Sequence, residues 1–403
     1  MRTPRLSEIP PPPPGKTGWP WTEETPPPET MPGDRALPRV SIITPSFNQG
    51  RFIEETIRSV LLQGYPNLEY IIIDGGSTDD SLEIIRKYER WLSYFVSEKD
   101  AGQAHAINKG FSHSTGEFFA WLNSDDIYHK GTVLEAADYL INHPSCDLVY
   151  GGVDVVDQDG CFLRQDEALP FSLERFLNDN LIAQPSAFFT KSGFDRVGGI
   201  DESLHFCMDY DLWLRLATLG SCKSIGKSWS RFRLHPTSKT TLLQARCWSE
   251  ITQILTNWFD SQDVGRQHKL SRSQILGRAN WIAALELSIA GERERAIEQI
   301  NYAIRENPAF IGSRELSFLL VGDVAAHVTE KNLQEVEAFF SLIPNALTFK
   351  ARALRQIMAR AEALIALNDS TERGLARSYA WRALRRDKIW LRNRHLLSRA
   401  FLH

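Results

Sequence analysis

The chain has no apolar run approaching the 18 or so residues a membrane span requires, and its 403 residues include only five cysteines. Cys146, Cys161, Cys207, Cys222 and Cys247 are odd in number and lack the paired spacings of zinc or iron ligands. This argues against a disulfide framework and a cysteine-built metal centre, and a reducing, cytoplasmic compartment is expected. Arg2 and Arg5 are followed by proline rather than an apolar core, so no signal peptide is read there. No G-x-G-x-x-G follows the first apolar run, which removes the main support for a nicotinamide-dependent enzyme. Gly15-Lys16-Thr17 lacks the upstream glycine and flanking strand of a phosphate loop. A formal net charge of −4 argues against a chain dedicated to nucleic acid.

Charge is unevenly spread. Residues 350–403 hold thirteen Lys or Arg against four acids, leaving about −13 on the first 349. Arg382, Arg385, Arg386, Arg392 and Arg394 form either a patch for peripheral contact with an anionic membrane or the solvated rim of a packed helix. Ala380, Trp381, Leu384, Leu391 and Leu396, interleaved among them, favour packing.

The length suits two domains plus tails, and three regions are read. Residues 1–36 are a proline-rich arm, extended and without a core of its own; Trp19 and Trp21 within it are expected to pack onto the body. Residues 37–240 alternate strands and helices: VSIITPSF, a helix from Phe52 to Gln63, LEYIIID from Leu68, and a helix from Ser81 to Tyr88. Residues 241–403 are helical. There, 275–290 and 293–305 with a turn at Gly291 look like one tetratricopeptide-type hairpin, and 360–367 with 371–386 like a degraded second.

Chemistry concentrates in the middle region. The run Phe118–Tyr128, FFAWLNSDDIY, stops abruptly at Asn123, Ser124, Asp125 and Asp126. In an open α/β sheet, ligands bind beyond the carboxyl ends of the strands. The alternation of elements carries Thr44-Pro45-Ser46, Asp74-Gly75-Gly76-Ser77, Glu98-Lys99-Asp100 and Asp125-Asp126 to that one edge. Several acids at successive strand ends point to a divalent cation and a phosphorylated ligand.

In order and spacing, four segments resemble the bacterial family 2 glycosyltransferases. They are TPSFNQGRFIEETIRSVLLQGYPNLEYIIIDGGSTDDS, SEKDAGQAHAINKGFSHSTGEFFAWLNSDD, FCMDYDLWLRLA and RFRLHPTSKT, and the resemblance covers about residues 38–240. It implies a GT-A fold, Rossmann-like with a mostly parallel sheet, and inverting transfer of a sugar from a nucleoside diphosphate donor. A UDP-sugar is favoured as donor, and the acceptor would be a glycan or lipid-linked hydroxyl in cell-surface polysaccharide synthesis.

By that resemblance, Thr44, Pro45, Ser46, Asp74, Asp100, Lys109 and Asp125 bind the nucleotide sugar. Asp126 and His235 hold Mg²⁺ or Mn²⁺, and Arg233 is a further candidate for neutralising diphosphate charge. Asp209 is the general base, with Asp211 as a substitute. A carboxylate ionises near pH 4 in water and works better as a base nearer neutrality, so partial burial against Phe206 or Trp213 is the expected aid. Two positions depart from the family pattern: Asn123 and Met208 stand where acids are common. Gln184-Pro185-Ser186 falls on the acceptor side with no chemistry assigned. The alternatives are a non-catalytic sugar-nucleotide-binding scaffold that presents the helical region to a partner, and a nucleotidyltransferase, which the missing triphosphate loop disfavours.

Overall fold

The computed structural model describes residues 3–28, 37–236, 238, 244–261, 271–307, 338, 339, 342, 359, 362, 363, 373–386 and 393. The chain divides into two compact units, Met1–Leu242 and Leu243–His403.

The first unit is built on a nine-stranded sheet. Its amino-terminal block contains β1 (Val40–Ser46), β2 (Leu68–Asp74), β3 (Tyr94–Ser97) and β4 (Phe118–Trp121), in the spatial order β3-β2-β1-β4 and all parallel. β1 and β2 are buried along their whole length, as continuous apolar runs in a parallel sheet require. α1 (Ile53–Leu61), α2 (Ser81–Tyr88) and α3 (Gln103–Ser112) make the crossovers. α1 turns Ile53, Ile57, Val60 and Leu61 inward at helical spacing. α3 lies so close to β1 that a Cβ on Gly110 would sit 2.4 Å from an Ile43 methyl.

Beyond β4 the sheet becomes mixed. β8 (Ala187–Thr190) runs antiparallel to β4 and to β6 (Cys146–Val156). β9 (Ser221–Arg233) lies parallel to β6 and antiparallel to β5 (Ile127–Tyr128), while β7 (Phe162–Asp166) adds to β6 as an antiparallel partner. The expectation of a mostly parallel sheet thus describes the amino-terminal block, and the remainder is mixed, with β6 and β9 parallel and the other pairs antiparallel. α4 (Thr132–Asn142), α5 (Leu173–Asn178), α6 (Lys191–Val197) and α7 (Met208–Leu219) complete the unit.

The arm is part of this unit. Arg58, fully buried on α1, donates to the carbonyls of Pro10 (2.8 Å), Pro20 (3.1 Å) and Trp21 (2.8 Å) and to the Tyr88 hydroxyl. Its guanidinium also lies over the Trp21 ring. The Trp19 indole N–H reaches the Tyr128 carbonyl at 2.7 Å. A segment unable to make a core of its own is held by a buried cation whose donors it satisfies.

The second unit contains α8 (Gln244–Ser261), α9 (Arg272–Ile289), α10 (Arg293–Glu306) and α11 (Arg373–Arg386) among its described residues. Gly291, at φ 79°, makes the turn between α9 and α10. α10 buries the stripe Ala296, Ile300 and Ala303. α11 buries Ala376, Ala380 and Ala383, and its Arg386 pairs with the buried Glu362 carboxylate at 3.0 Å. Arg382 lies over the Tyr379 ring. Leu391, Arg392, Arg394, Leu396 and, of the second hairpin read from the sequence, 360, 361, 364–367, 371 and 372 lie outside the described residues. No described helix is long and apolar enough to cross a membrane.

Candidate active site

The strands of the parallel block end at one level: Ser46 lies beside Asp74, and Asp74 beside Ser97. Their carboxyl ends open into a cleft of about 820 Å³, with one wall contributed by the parallel block and the turn after it (Pro45, Ser46, Asp125) and another by the mixed half (Gln184, Phe206, Asp209). The order of the strands reverses around β1 and β4, the crevice where an open α/β sheet receives ligands.

Adjacent acids have different surroundings. Asp125 lines the cleft, and its Oδ2 stands 3.0 Å from His235 Nε2. Asp126, expected to hold the cation, is instead 1% exposed and does not line the cleft. Its Oδ1 accepts the Arg233 backbone N–H at 3.0 Å, and its backbone carbonyl accepts the Thr56 hydroxyl at 2.7 Å. Burial pushes the Asp126 carboxyl well above the usual carboxylate range, and neighbouring Asp125 adds to the effect. Asp125 sits within the turn that the Asp126 backbone N–H closes on the Asn123 carbonyl at 3.1 Å, and this turn leaves Asp125 in the cleft lining and Asp126 in the interior.

Arg233 fastens this corner. It is buried, pairs with Glu55 at 3.0 Å, donates through Nε to the Asp125 carbonyl at 3.0 Å and lies over the Phe52 ring. Phe52 also packs on His235, with ring centroids 4.9 Å apart. Arg233, a candidate for neutralising diphosphate charge, is therefore already neutralised by Glu55.

Asp74 is fully buried and accepts from the Ser77 hydroxyl and the Ser97 hydroxyl, each at 2.6 Å, and from the Ser77 backbone N–H at 2.9 Å. It shapes the turn after β2. Asp100 lies against that turn, so close that a Cβ on Gly75 would meet its Oδ2 at 2.7 Å. Thr44 is buried against the Tyr70 hydroxyl at 3.0 Å, and Lys109 is paired with Glu98. Thr44, Asp74, Asp100 and Lys109 are thus not among the residues lining the cleft, whereas Pro45 and Ser46 are.

On the facing wall, Asp209 sits in the first turn of α7 and lines the cleft. Asp211 does not: Arg215 holds its Oδ2, with Nε at 2.9 Å. Phe206 lines the cleft with Asp209, while Trp213 is fully buried and stacks on Trp121 at 5.2 Å, tying α7 to β4.

Three lining residues carried no chemical assignment in the sequence. Phe47 is 59% exposed at the cleft, on a loop held when the Asn48 backbone N–H donates to the Ser77 hydroxyl at 2.8 Å. Gln103 and Gln184 meet Asn123 from opposite sides, at 2.8 and 3.0 Å. An exposed aromatic directly after a buried strand was a visible signal; the meeting of two glutamines 81 positions apart was not.

The profile of the family described as Glycosyl transferase family 2 matches residues 41–195. An uncharacterised glycosyltransferase of Mycobacterium tuberculosis is 33% identical over 187 residues, which is 45% of this chain and 70% of that protein. A Bacillus subtilis protein named a putative teichuronic acid biosynthesis glycosyltransferase is 34% identical over 141 residues, 33% of this chain and 56% of its own length. The chain spans only 31% of a longer glycosyltransferase from Rickettsia conorii. Among solved structures, a mannosyltransferase from Pyrobaculum calidifontis, in complex with GDP-Man and Mn²⁺, superposes with a TM-score of 0.50 at 19% identity, over 78% of this chain and 87% of that one. Parallel block, mixed continuation, cleft at the strand ends and sequence kinship agree: the chain belongs to the family 2 glycosyltransferases and has the GT-A fold.

Proposed function

We propose that the cleft transfers a sugar from a nucleoside diphosphate donor to an acceptor hydroxyl, with inversion at the anomeric carbon. The observation that carries this reading is the presence of Asp125, beside His235, and Asp209 in the lining of one cleft. Asp209 is placed to accept the proton of the acceptor hydroxyl as that oxygen attacks the anomeric carbon from the face opposite the leaving diphosphate. Phe47 offers an exposed ring for the nucleobase to stack on.

The residues present fit a divalent cation. Mg²⁺ and Mn²⁺ in phosphate sites need only one or two protein ligands, with phosphate oxygens and water supplying the rest. Asp125 Oδ2 in the cleft lining and His235 Nε2, buried 3.0 Å behind it, are such a pair, and the mannosyltransferase of like fold is in complex with GDP-Man and Mn²⁺. When bound, the cation would offset the charge that develops on the departing diphosphate. Asp125, rather than Asp126, is the carboxylate assigned to it. The acceptor is assigned to surface-polysaccharide synthesis, a reading supported by the Bacillus subtilis relative.

The test is a panel of UDP-, GDP- and dTDP-sugars with Mn²⁺ or Mg²⁺, scored by thermal stabilisation and by release of nucleoside diphosphate. A ligand at a hundred times its dissociation constant adds about 2.7 kcal/mol of stability, and a UDP-sugar is expected to do so. No stabilisation by any donor would overturn the proposal. Stabilisation without turnover in the presence of glycan and lipid-linked acceptors would favour a sugar-nucleotide-binding scaffold.

A further inference from the structure

Three carboxamides from three separate segments join end to end across the cleft. Gln103 opens α3, Asn123 follows β4, and Gln184 begins a single 3-10 turn on the facing wall, Gln184–Ser186. Gln103 Nε2 donates to Asn123 Oδ1 at 2.8 Å, Asn123 Nδ2 donates to Gln184 Oε1 at 3.0 Å, and Gln184 Nε2 donates to the Trp121 carbonyl at 2.7 Å. All three side chains line the cleft.

The direction of this relay is forced from one end. A backbone carbonyl only accepts, so Gln184 must present nitrogen to Trp121 and oxygen to Asn123. Asn123 must then give its N–H to Gln184 and keep its oxygen for Gln103. A carboxamide has two N–H groups and two acceptor lone pairs. Asn123 turns its second N–H to the Asp126 carboxylate and keeps one acceptor position, while Gln184 keeps one donor and one acceptor position that the relay does not use. Neighbouring donor and acceptor positions on locked, uncharged groups suit hydroxyls of a sugar ring. They line the same cleft as Asp125 and Asp209, which on the function proposed above holds the transferred sugar.

We infer that Asn123 and Gln184 form a specificity-determining pair that hydrogen-bonds hydroxyl groups of the transferred sugar, held in one orientation by Gln103 and the Trp121 carbonyl. This rests on the donor reading above. A preorganised pair loses little rotamer freedom on binding, and a site built to hydrogen-bond a hydroxyl discriminates against an analogue lacking it. An acid at position 123 would accept from Gln103 but could not donate to Gln184. The asparagine that departs from the family pattern is thus the residue that lets the relay close.

The experiment compares two affinities in each variant, measured calorimetrically with Mn²⁺: that for the tightest-binding sugar nucleotide of the panel, and that for its nucleoside diphosphate alone. Gln184→Met and Asn123→Ala should lower the sugar nucleotide's affinity roughly tenfold, as loss of one or two hydrogen bonds implies, with nucleoside diphosphate affinity within about twofold. Removing one ring hydroxyl of the donor at a time should reveal a position whose loss weakens binding to the wild-type chain but not to the variants. Should Gln184→Met fail to fold, Gln184→Asn keeps the carboxamide, withdraws it by one methylene and carries the same expectation. Equal falls in both affinities, or no fall in either, would overturn the inference while leaving the donor reading intact. A wild-type chain that binds no sugar nucleotide would remove the donor reading and the inference with it.

Discussion

The parallel block β3-β2-β1-β4 and the mixed strands beyond it each supply one wall of the cleft, by different means. On the first wall, Ser46 ends buried β1 and Asp125 sits in the short turn between β4 and β5, so the strands on either side fix where they lie. On the second, Asp209 rides on the first turn of a helix and Gln184 on a 3-10 turn, both placed by tertiary packing. His235 belongs to the second region by sequence yet meets Asp125 on the first wall. On the function proposed above, the first wall takes the nucleotide, and the second takes the transferred sugar and the reacting hydroxyl.

Removing the base should separate the walls most sharply. Asp209→Asn keeps size and most hydrogen bonding but cannot accept the proton, so turnover should fall by roughly 10² to 10⁴, measured as acceptor-dependent release of nucleoside diphosphate. Near-normal turnover would place the base elsewhere. Arg233→Met attacks the joint between the walls. Leaving Glu55 without its buried partner and Asp125 without the Nε donor should destabilise the first unit by about 3 kcal/mol or more in denaturant unfolding, and no loss would show that the pair contributes nothing.

The arm offers a gentler probe, because it grips α1 from behind while α1 holds the acidic corner through Glu55 and Thr56. Arg58→Ala should cost about 2 kcal/mol, by the scale of hydrogen bonds to charged groups, and should expose residues 3–28 to limited proteolysis. An arm that stays protected would show that Trp19 and Trp21 suffice to anchor it.

The smallest effect concerns pH. Burial pulls the His129 imidazole below its ordinary 6.5, although Asp154, 3.1 Å away, opposes this. The folded state therefore binds fewer protons there than the unfolded state. Its contribution is present above about pH 6.5 and is lost as pH falls through the depressed folded value. His129→Gln should flatten that acid limb of stability, and an unchanged limb would assign it to other groups.

The four parallel strands and their helices were legible in the sequence because apolar runs buried on both faces leave an unambiguous pattern. The mixed half was harder to read. β9 alternates buried and partly exposed positions over 13 residues, and β7 is exposed throughout, so neither shows a continuous apolar signal. At the site, motif resemblance brought Asp125, Asp209 and His235 forward together, but it could not decide which of two adjacent acids faces the opening. That choice depends on the Arg233 backbone N–H, contributed by a strand 107 positions away. The contact between Gln103 and Gln184 through Asn123 lies beyond motif reading for the same reason. In the helical unit, the equal spacing of Ala296 and Ala303 on α10 and of Ala376 and Ala383 on α11 coincides with their buried faces, while the arginine run concealed that Arg386 is paired with Glu362.

The cation-dependent part of donor affinity, compared between Asp125→Asn and Asp209→Asn, tests the two-walled site most directly. The affinity of nucleoside diphosphate with Mn²⁺ relative to its affinity in chelator should collapse towards unity in Asp125→Asn and remain at the wild-type value in Asp209→Asn. Retention of the full Mn²⁺ effect by Asp125→Asn, or its loss in Asp209→Asn, would contradict the assignment of the cation to the first wall and the base to the second.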